Sequence, residues 1–200
     1  MLKHCIKYPV SCLGLIALFL PGCGMVSTAT QPEVSLQVKQ AYQRALNTMQ
    51  AGKHKQAITQ FKKISAANPS LAGPHTNLGM LYLKTNALQE SEKSLQKAIE
   101  LKPDNRIAYN YLGIVYRQQG RFDHAEKAYL RAIELDKNYS YAHLNLGILY
   151  DLYKSDLQKA LSHYQQYQAL SDKPDKLVDK WIIDIKQRDT AKTRQEENKG

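Results

Sequence analysis

Residues 106–139, RIAYNYLGIVYRQQGRFDHAEKAYLRAIELDKNY, decide the fold. Two stripes of apolar, aromatic and small residues with the spacing of a helix face lie on either side of a turn that contains glycine. The first stripe consists of Tyr109, Leu112, Gly113 and Tyr116, and the second of Ala125, Tyr129, Ala132 and Ile133. The pattern predicts two helices that pack against each other through these faces.

Small residues in this stretch indicate how closely the two helices approach. Gly113 and Ala125 leave room between the helix backbones, and Tyr116 and Tyr129 fill the space beside them. Gly120 suits the turn, because glycine adopts a positive φ without a steric cost. The segment therefore predicts a compact helix–turn–helix hairpin.

The same pattern recurs along the chain with a fixed period. Its leucine, glycine and tyrosine places hold Leu78, Leu112 and Leu146, then Gly79, Gly113 and Gly147, then Tyr82, Tyr116 and Tyr150. This period and these residue types resemble the tetratricopeptide repeat (TPR), a helix–turn–helix unit of about 34 residues. The resemblance implies an all-α fold, a right-handed superhelix of stacked hairpins closed by a C-terminal capping helix.

Residues 36–188 divide into the repeats and their cap. Four TPR-like units are expected, at about 38–71, 72–105, 106–139 and 140–173. The first unit is weaker, with Ala45 at the glycine place, and the fourth carries one inserted residue near positions 153–156. Residues 174–188, with Trp181 on the apolar side, predict the capping helix. Residues 189–200 contain no large apolar side chain, which predicts a disordered tail.

The chain begins with a segment typical of export. Residues 1–22 combine a basic start, an apolar run too short to cross a bilayer and small residues at the exit, as in a secretory signal. The tetrapeptide Leu20-Pro21-Gly22-Cys23 resembles the lipobox of bacterial lipoproteins, although Pro21 stands where that family usually has a small residue. The resemblance implies cleavage before Cys23, lipidation of its thiol and a short linker over residues 23–35. The alternative is an ordinary cleaved signal with an incidental cysteine.

Compartment and charge follow from this reading. Gly24 rather than aspartate follows the cysteine, and the resemblance to the sorting pattern of Gram-negative lipoproteins implies the outer membrane, facing the periplasm. Cys5 and Cys12 fall in the removed segment, so no disulfide is expected.

Removal of Lys3 and Lys7 lowers the formal net charge of +10 by two. A basic balance is compatible with acidic partners, anionic lipid, nucleic acid or a solvated helix surface, and export argues against nucleic acid.

The sequence has no pattern of a catalytic or cofactor site. It lacks a Gly-rich phosphate loop, an H-E-x-x-H motif and a G-x-S-x-G motif. His75 and His143 stand at equivalent places two units apart, which predicts packing or groove-edge imidazoles instead of a metal site. We expect a non-enzymatic protein with no cofactor, no metal and no small-molecule substrate.

The TPR resemblance implies a protein-binding groove on the inner wall of the superhelix, formed by the first helix of each unit. The residues at those places are Asn77, Met80, Lys84, Asn110, Tyr111, Ile114, Arg117, Tyr141, Asn145 and Ile148, with Thr76, Ile107, Gln118 and Leu144 beside them. We expect Asn77 and Asn145 to bind a peptide backbone. The carboxylate clamp of TPR co-chaperones is not matched, because Tyr42 and Leu46 occupy its first-unit places. A more apolar segment of a partner protein is therefore expected.

Two functions fit these observations. The first is a lipid-anchored TPR adaptor that holds a partner segment in its groove, in pilus or outer-membrane complex assembly. TPR lipoproteins of similar build include the pilotins of type IV pilus secretins. The alternative is an accessory or regulatory subunit of a periplasmic peptidoglycan enzyme or of an energy-coupled envelope transport complex. In both, the membrane is reached through Cys23.

Overall fold

The computed structural model describes residues 34–197, and all regular secondary structure in this range is helical. The elements are α1 (Leu36–Gln50), α2 (His54–Ala67), α3 (Ala72–Lys84), α4 (Leu88–Leu101), α5 (Arg106–Gln118), α6 (Phe122–Leu135), α7 (Ser140–Leu149), a π-helical turn (Tyr150–Lys154), α8 (Leu157–Leu170) and α9 (Lys176–Glu197). The all-α prediction is confirmed.

The helices pack as consecutive hairpins. Helix α1 contacts α2, α3 contacts α4, α5 contacts α6 and α7 contacts α8. Each second helix also contacts the first helix of the next hairpin, and α9 packs on α8 at the end. The first helices contact one another as well, α3 with α5 and α5 with α7, so they lie together along one side of the stack. This is the predicted arrangement of stacked hairpins closed by a C-terminal helix.

The glycines that recur once per repeat occupy equivalent places between the helices of successive hairpins. A Cβ atom added at Gly113 would lie 2.5 Å from Cε1 of Tyr129, and one added at Gly147 would lie 2.6 Å from Cδ1 of Tyr164. At Gly79 the corresponding neighbour is Leu95. Contacts this short are not tolerated by a methyl group, so each glycine allows the facing side chain to reach the helix backbone. The repeat register is confirmed.

The turn inside the third hairpin has the predicted geometry. Gly120 adopts a φ of 76°, and Gly52 adopts a φ of 73° in the turn between α1 and α2. The fourth hairpin differs, because its first helix ends in a π-helical turn that stops at Ser155, with a φ of 55°. A π-helical turn absorbs one extra residue, and it lies where the sequence predicts an insertion.

The C-terminal helix is longer than predicted. Helix α9 continues to Glu197, so residues 189–197 are helical and the expected disordered tail is corrected over this range. Neither glycine nor proline interrupts the helix, and extending an existing helix costs far less than nucleating one. The side-chain amide of Gln158 also donates a hydrogen bond to Asp189 at 2.6 Å, which holds this extension against α8.

The predictions for residues 1–22, for Cys23 and for the linker up to residue 33 lie outside the described residues. Among residues 34–197, no helix combines the length and apolar character needed to cross a bilayer.

Candidate protein-binding groove

The candidate site lies on the side of the stack formed by the first helices α3, α5 and α7. Met80, Ile114 and Ile148, one from each helix and at the same place in successive repeats, are all half-buried. Ile114 and Ile148 pack against the main core while part of each side chain is still exposed. These three are the apolar residues that the TPR resemblance assigns to the floor of the groove, and Met80 also lines a hollow at one end of it.

A hollow of about 470 Å³ opens at one end of this floor, between α1, α3 and α5. We call it the groove pocket; its lining residues are Met49, His54, Met80, Leu81, Leu83, Lys84, Tyr111 and Gln118. Of these, the sequence pointed to Met80, Lys84, Tyr111 and Gln118. The other four were missed. Met49 and His54 come from the end of α1 and the start of α2 in the weakest repeat, and Leu81 and Leu83 lie on α3 outside the places that the resemblance assigns to the inner wall.

The polar groups of the groove pocket are few. The Lys84 side chain is exposed and makes no ion pair with any residue in the described range. Nδ1 of His54 is buried and has no hydrogen-bond partner among the same residues. Burial raises the pKa of the Tyr111 hydroxyl, with a smaller contribution from Tyr141, so this phenol stays neutral at physiological pH. The pocket is thus suited to an apolar side chain with an acceptor group near it.

Aromatic side chains continue the groove toward the start of α7. Tyr141 is 59% exposed, and its ring centroid lies 6.3 Å from that of Tyr139 and 6.4 Å from that of Tyr167. Burial raises the pKa of Tyr139 to about 12, so its hydroxyl also remains protonated. Exposed Ile107 occupies the place equivalent to Tyr141 on α5. Rigid aromatic surface of this kind is common where proteins bind partners.

The asparagines predicted to face a ligand are mostly used inside the protein. Asn77 is 7% exposed and donates hydrogen bonds to the Tyr42 hydroxyl at 2.6 Å and to the Gly73 carbonyl at 3.1 Å. Asn145 donates to the side-chain oxygen of Asn110 at 3.0 Å, and Asn110 is only 3% exposed. The Asn77–Tyr42 and Asn145–Asn110 bonds each join first helices of adjacent hairpins. The expectation that Asn77 and Asn110 are open to a ligand is therefore corrected. Asn145 is half-buried and keeps part of its side chain exposed.

Arg117 also has an intramolecular role. Its Nε donates to the Tyr129 hydroxyl at 3.4 Å, and its guanidinium lies 5.8 Å from the ring centroid of Tyr153. The side chain therefore bridges α5, α6 and the π-helical turn. It does not line the groove pocket.

Sequence reasoning missed a charged contact that repeats between hairpins. Glu92 accepts a hydrogen bond from Arg121 at 2.8 Å, and Glu126, at the same place in the next repeat, pairs with Lys154. Burial alone would raise the pKa of the Glu92 carboxyl, but hydrogen bonds from Gln119 and Arg121 outweigh it and lower that pKa. Glu92 and Glu126 occupy the same place in successive repeats, and this equivalence could have indicated the repeated contact from the sequence.

A histidine pair lies between α7 and α8. The Nδ1 atoms of His143 and His163 are 3.1 Å apart, and the Tyr150 ring stacks on His163 with centroids 5.7 Å apart. Nε2 of His143 lies 3.3 Å from the Lys137 carbonyl oxygen. Within residues 34–197, no group of three or more histidine, cysteine or acidic side chains is arranged to hold a metal ion. The pair packs two helices together, and the sequence had singled out only His143.

Stacked hairpins whose first helices carry an apolar groove define a helical-repeat protein of the kind that binds other proteins. Two sequence models of the tetratricopeptide repeat match the chain, one at residues 70–138 and one at residues 112–174. Together they cover more than half of it. The chain belongs to the TPR proteins.

Several solved structures are similar to this chain. MamA is 25% identical, with a TM-score of 0.60 over 66% of this chain and 77% of MamA. PilF of Pseudomonas aeruginosa is 23% identical, with a TM-score of 0.69 over 79% of this chain and 72% of PilF. A thermophilic TPR protein of Thermus thermophilus is 19% identical, with a TM-score of 0.64 over 74% of this chain and 80% of that protein. The last two likenesses bear on the fold alone, and no curated protein sequence matches the chain.

Proposed function

We propose that this protein is a lipid-anchored TPR adaptor of the bacterial envelope, which holds a segment of a partner protein in its groove and catalyses no reaction. The groove pocket is the observation that carries this proposal. It presents Met49, Met80 and Tyr111 around an open apolar hollow, beside the ammonium group of Lys84, which has no ion-pair partner within residues 34–197. TPR repeats generally serve as binding scaffolds, which supports a binding role.

The chemistry of the pocket defines the class of ligand. Burying one leucine-sized or aromatic side chain contributes about 1.5–3 kcal/mol, so several contacts along the floor are needed for stable capture. A partner segment with an aliphatic or aromatic anchor and an acidic residue close to it matches the pocket and Lys84. Ile114 and Ile148 extend the same contact to further apolar side chains.

The groove is tested by affinity capture from solubilised membranes with the full chain as bait. We expect Tyr111→Ala and Lys84→Glu each to weaken capture of the specific partner at least about tenfold, while helical circular dichroism is retained. Leu130→Ala is the matched control, since Leu130 is 44% exposed on α6 and does not line the pocket. Equal capture by the parent protein and all three variants would contradict the assignment.

The lipid anchor is tested separately. Changing Cys23 to Ser removes the only thiol in the proposed mature chain. Lipoproteins of this kind carry two acyl chains on the thiol and one on the new amine, and three chains exceed the two signals needed for stable anchoring. We expect the processed form of the variant, identified by its mass, to be released by a carbonate wash, which also removes protein that is held only by its charge. Retention in the membrane after a carbonate wash would refute acyl anchoring and leave the groove proposal standing.

Within the envelope, we propose that the partner is a component of a pilus or outer-membrane assembly complex. The resemblance to PilF in fold and the lipobox-like tetrapeptide motivate this choice. Crosslinking in native membranes followed by mass spectrometry identifies the partner. A peptidoglycan enzyme or an energy-coupled transporter as the main crosslinked product would favour a regulatory subunit instead.

A further inference from the structure

Charge is distributed very unevenly along the helical stack. Residues 34–89, which include α1 to α3, contain no aspartate or glutamate and seven basic residues. Residues 90–197 contain 18 basic and 17 acidic residues. Seven of the eight net positive charges of residues 34–197 therefore lie in residues 34–89.

The basic residues of this part are solvent-exposed. They are Lys39, Arg44, Lys53, Lys55, Lys62, Lys63 and Lys84. Apart from Lys39, none of them makes an ion pair with a residue in the described range. In the remaining helices, by contrast, Arg121 pairs with Glu92 and Arg188 with Asp151. Within residues 34–197, no ion pair therefore offsets the charge of the other six basic residues.

The exposed face of α2 shows the arrangement most clearly. No acidic side chain lies between Lys55, Lys62 and Lys63 along this helix. Lys62 also lines a shallow hollow of about 460 Å³ with Lys93 and Lys97, where Glu100 pairs with Lys97. The basic surface therefore extends from α2 onto α4. We call Arg44, Lys53, Lys55, Lys62 and Lys63 the basic face.

We propose that the basic face binds an anionic lipid surface. Its cations are spread over two helices and their connecting turn, and clusters of several Lys and Arg side chains attract anionic lipid surfaces. Leu36, at the start of α1, is 69% exposed and supplies an apolar side chain at this end of the stack. This end of the stack is also nearest in sequence to Cys23, where the anchor is proposed. The inference goes beyond the groove function and does not require the acyl chain.

Binding to anionic lipid is measured by sedimentation with vesicles, using the full chain with Cys23→Ser. Each basic residue close to an anionic leaflet strengthens binding by about fivefold. We expect strong binding to phosphatidylethanolamine/phosphatidylglycerol (3:1) vesicles at low salt, little at 0.5 M salt and little to phosphatidylcholine vesicles. Residues 1–22 include Lys3 and Lys7 as well as apolar residues, so the contribution of the basic face is read from variants that leave this segment unchanged.

The position of the charge is tested with matched triple variants. Lys55→Glu, Lys62→Glu and Lys63→Glu together should weaken binding to the anionic vesicles at least about 30-fold. Lys137→Glu, Lys173→Glu and Lys180→Glu change the net charge equally at exposed sites elsewhere and should stay within about threefold of the parent protein. Three Lys→Gln changes at the basic face provide a milder version if the glutamates disturb folding.

Three results would overturn the inference. The first is an equal loss of vesicle binding in the two triple variants. The second is binding to phosphatidylcholine vesicles that is as strong as binding to anionic vesicles. The third is binding to duplex DNA under conditions in which anionic vesicles are not bound. None of them bears on the groove pocket, whose variants are tested by partner capture, so the two proposals fail independently.

Discussion

At the residue scale, Gly113 shows how one missing side chain controls the distance between two helices. Tyr129, which faces it, is fully buried. Gly113→Leu forces a branched side chain into the Tyr129 ring and should lower the melting temperature strongly, since overpacking alone costs about 1–3 kcal/mol. Thermal unfolding followed by circular dichroism measures this. Lys127→Leu, at an exposed place on α6, is the control, and a melt of Gly113→Leu equal to that control would contradict the repeat register.

Asn145 carries a second prediction at this scale, because it stabilises the stack more than it serves a ligand. Asn145→Ala leaves the buried Asn110 amide oxygen without its donor at 3.0 Å, a loss of about 1–3 kcal/mol. Urea unfolding should show a lower midpoint. Asn47→Ala, which removes the exposed Gln43–Asn47 bond, should change stability by less than about 0.5 kcal/mol. Equal midpoints for both variants would show that the Asn110–Asn145 contact is not structural.

The asparagines also mark where prediction from sequence stops at this scale. The repeat period placed Asn77, Tyr111 and Asn145 correctly at one position of successive first helices. It could not show that Tyr42 and Asn110, one place earlier in the preceding units, supply partners for the asparagine amides. Such bonds depend on the rise between adjacent hairpins, which periodicity does not contain.

At the scale of elements, the contact between α7 and α8 should depend on pH. Burial, with the nearby charges of His143 and Lys159, lowers the pKa of His163 to about 4. The unfolded chain therefore binds more protons than the folded protein below the ordinary histidine pKa of about 6.5. Stability should be fully present above that pH and decline as the pH falls toward 4.

Histidine variants make this prediction specific. Unfolding free energy is measured between pH 6.5 and 5, above the range in which most carboxylates titrate. Over this range it should fall less in His163→Gln than in the parent protein. His124→Gln, at an exposed place on α6, should decline like the parent protein. If unfolding free energy changed with pH equally in His163→Gln and in the parent protein, folding would not disfavour protonation of His163, which would contradict this prediction.

Elements differed in how well the sequence predicted them. Helices α3 and α5 were predictable because leucine, glycine and tyrosine repeat at fixed places, and α6 because its apolar and small residues have the spacing of a helix face. The extension of α9 to Glu197 was not, because residues 189–197 bury little apolar surface and rely on helix propagation and on the Gln158–Asp189 contact. The π-helical turn was predictable only as an insertion, since its geometry depends on the buried contacts of Tyr150 and Asp151.

At the scale of the whole described region, two surfaces serve different partners in this account. The apolar groove on the first helices is assigned to a protein segment, and the basic face on α1 and α2 to anionic lipid. The TPR resemblance predicted residues of the first surface, but not Met49, His54, Leu81 and Leu83. The second appears when exposed charges are mapped helix by helix, because a net charge of +10 does not show where the charge lies.

Site-specific photocrosslinking tests the central claim, that the inner side of the stack grips another polypeptide. A photoreactive amino acid is placed at Met80 in the groove pocket and, as the matched control, at Leu130 on α6, and crosslinking is performed in native membranes. We expect one dominant partner crosslinked through residue 80, at a segment with an apolar anchor, and no such product from residue 130. The same product from both positions, or from residue 130 alone, would contradict the central claim.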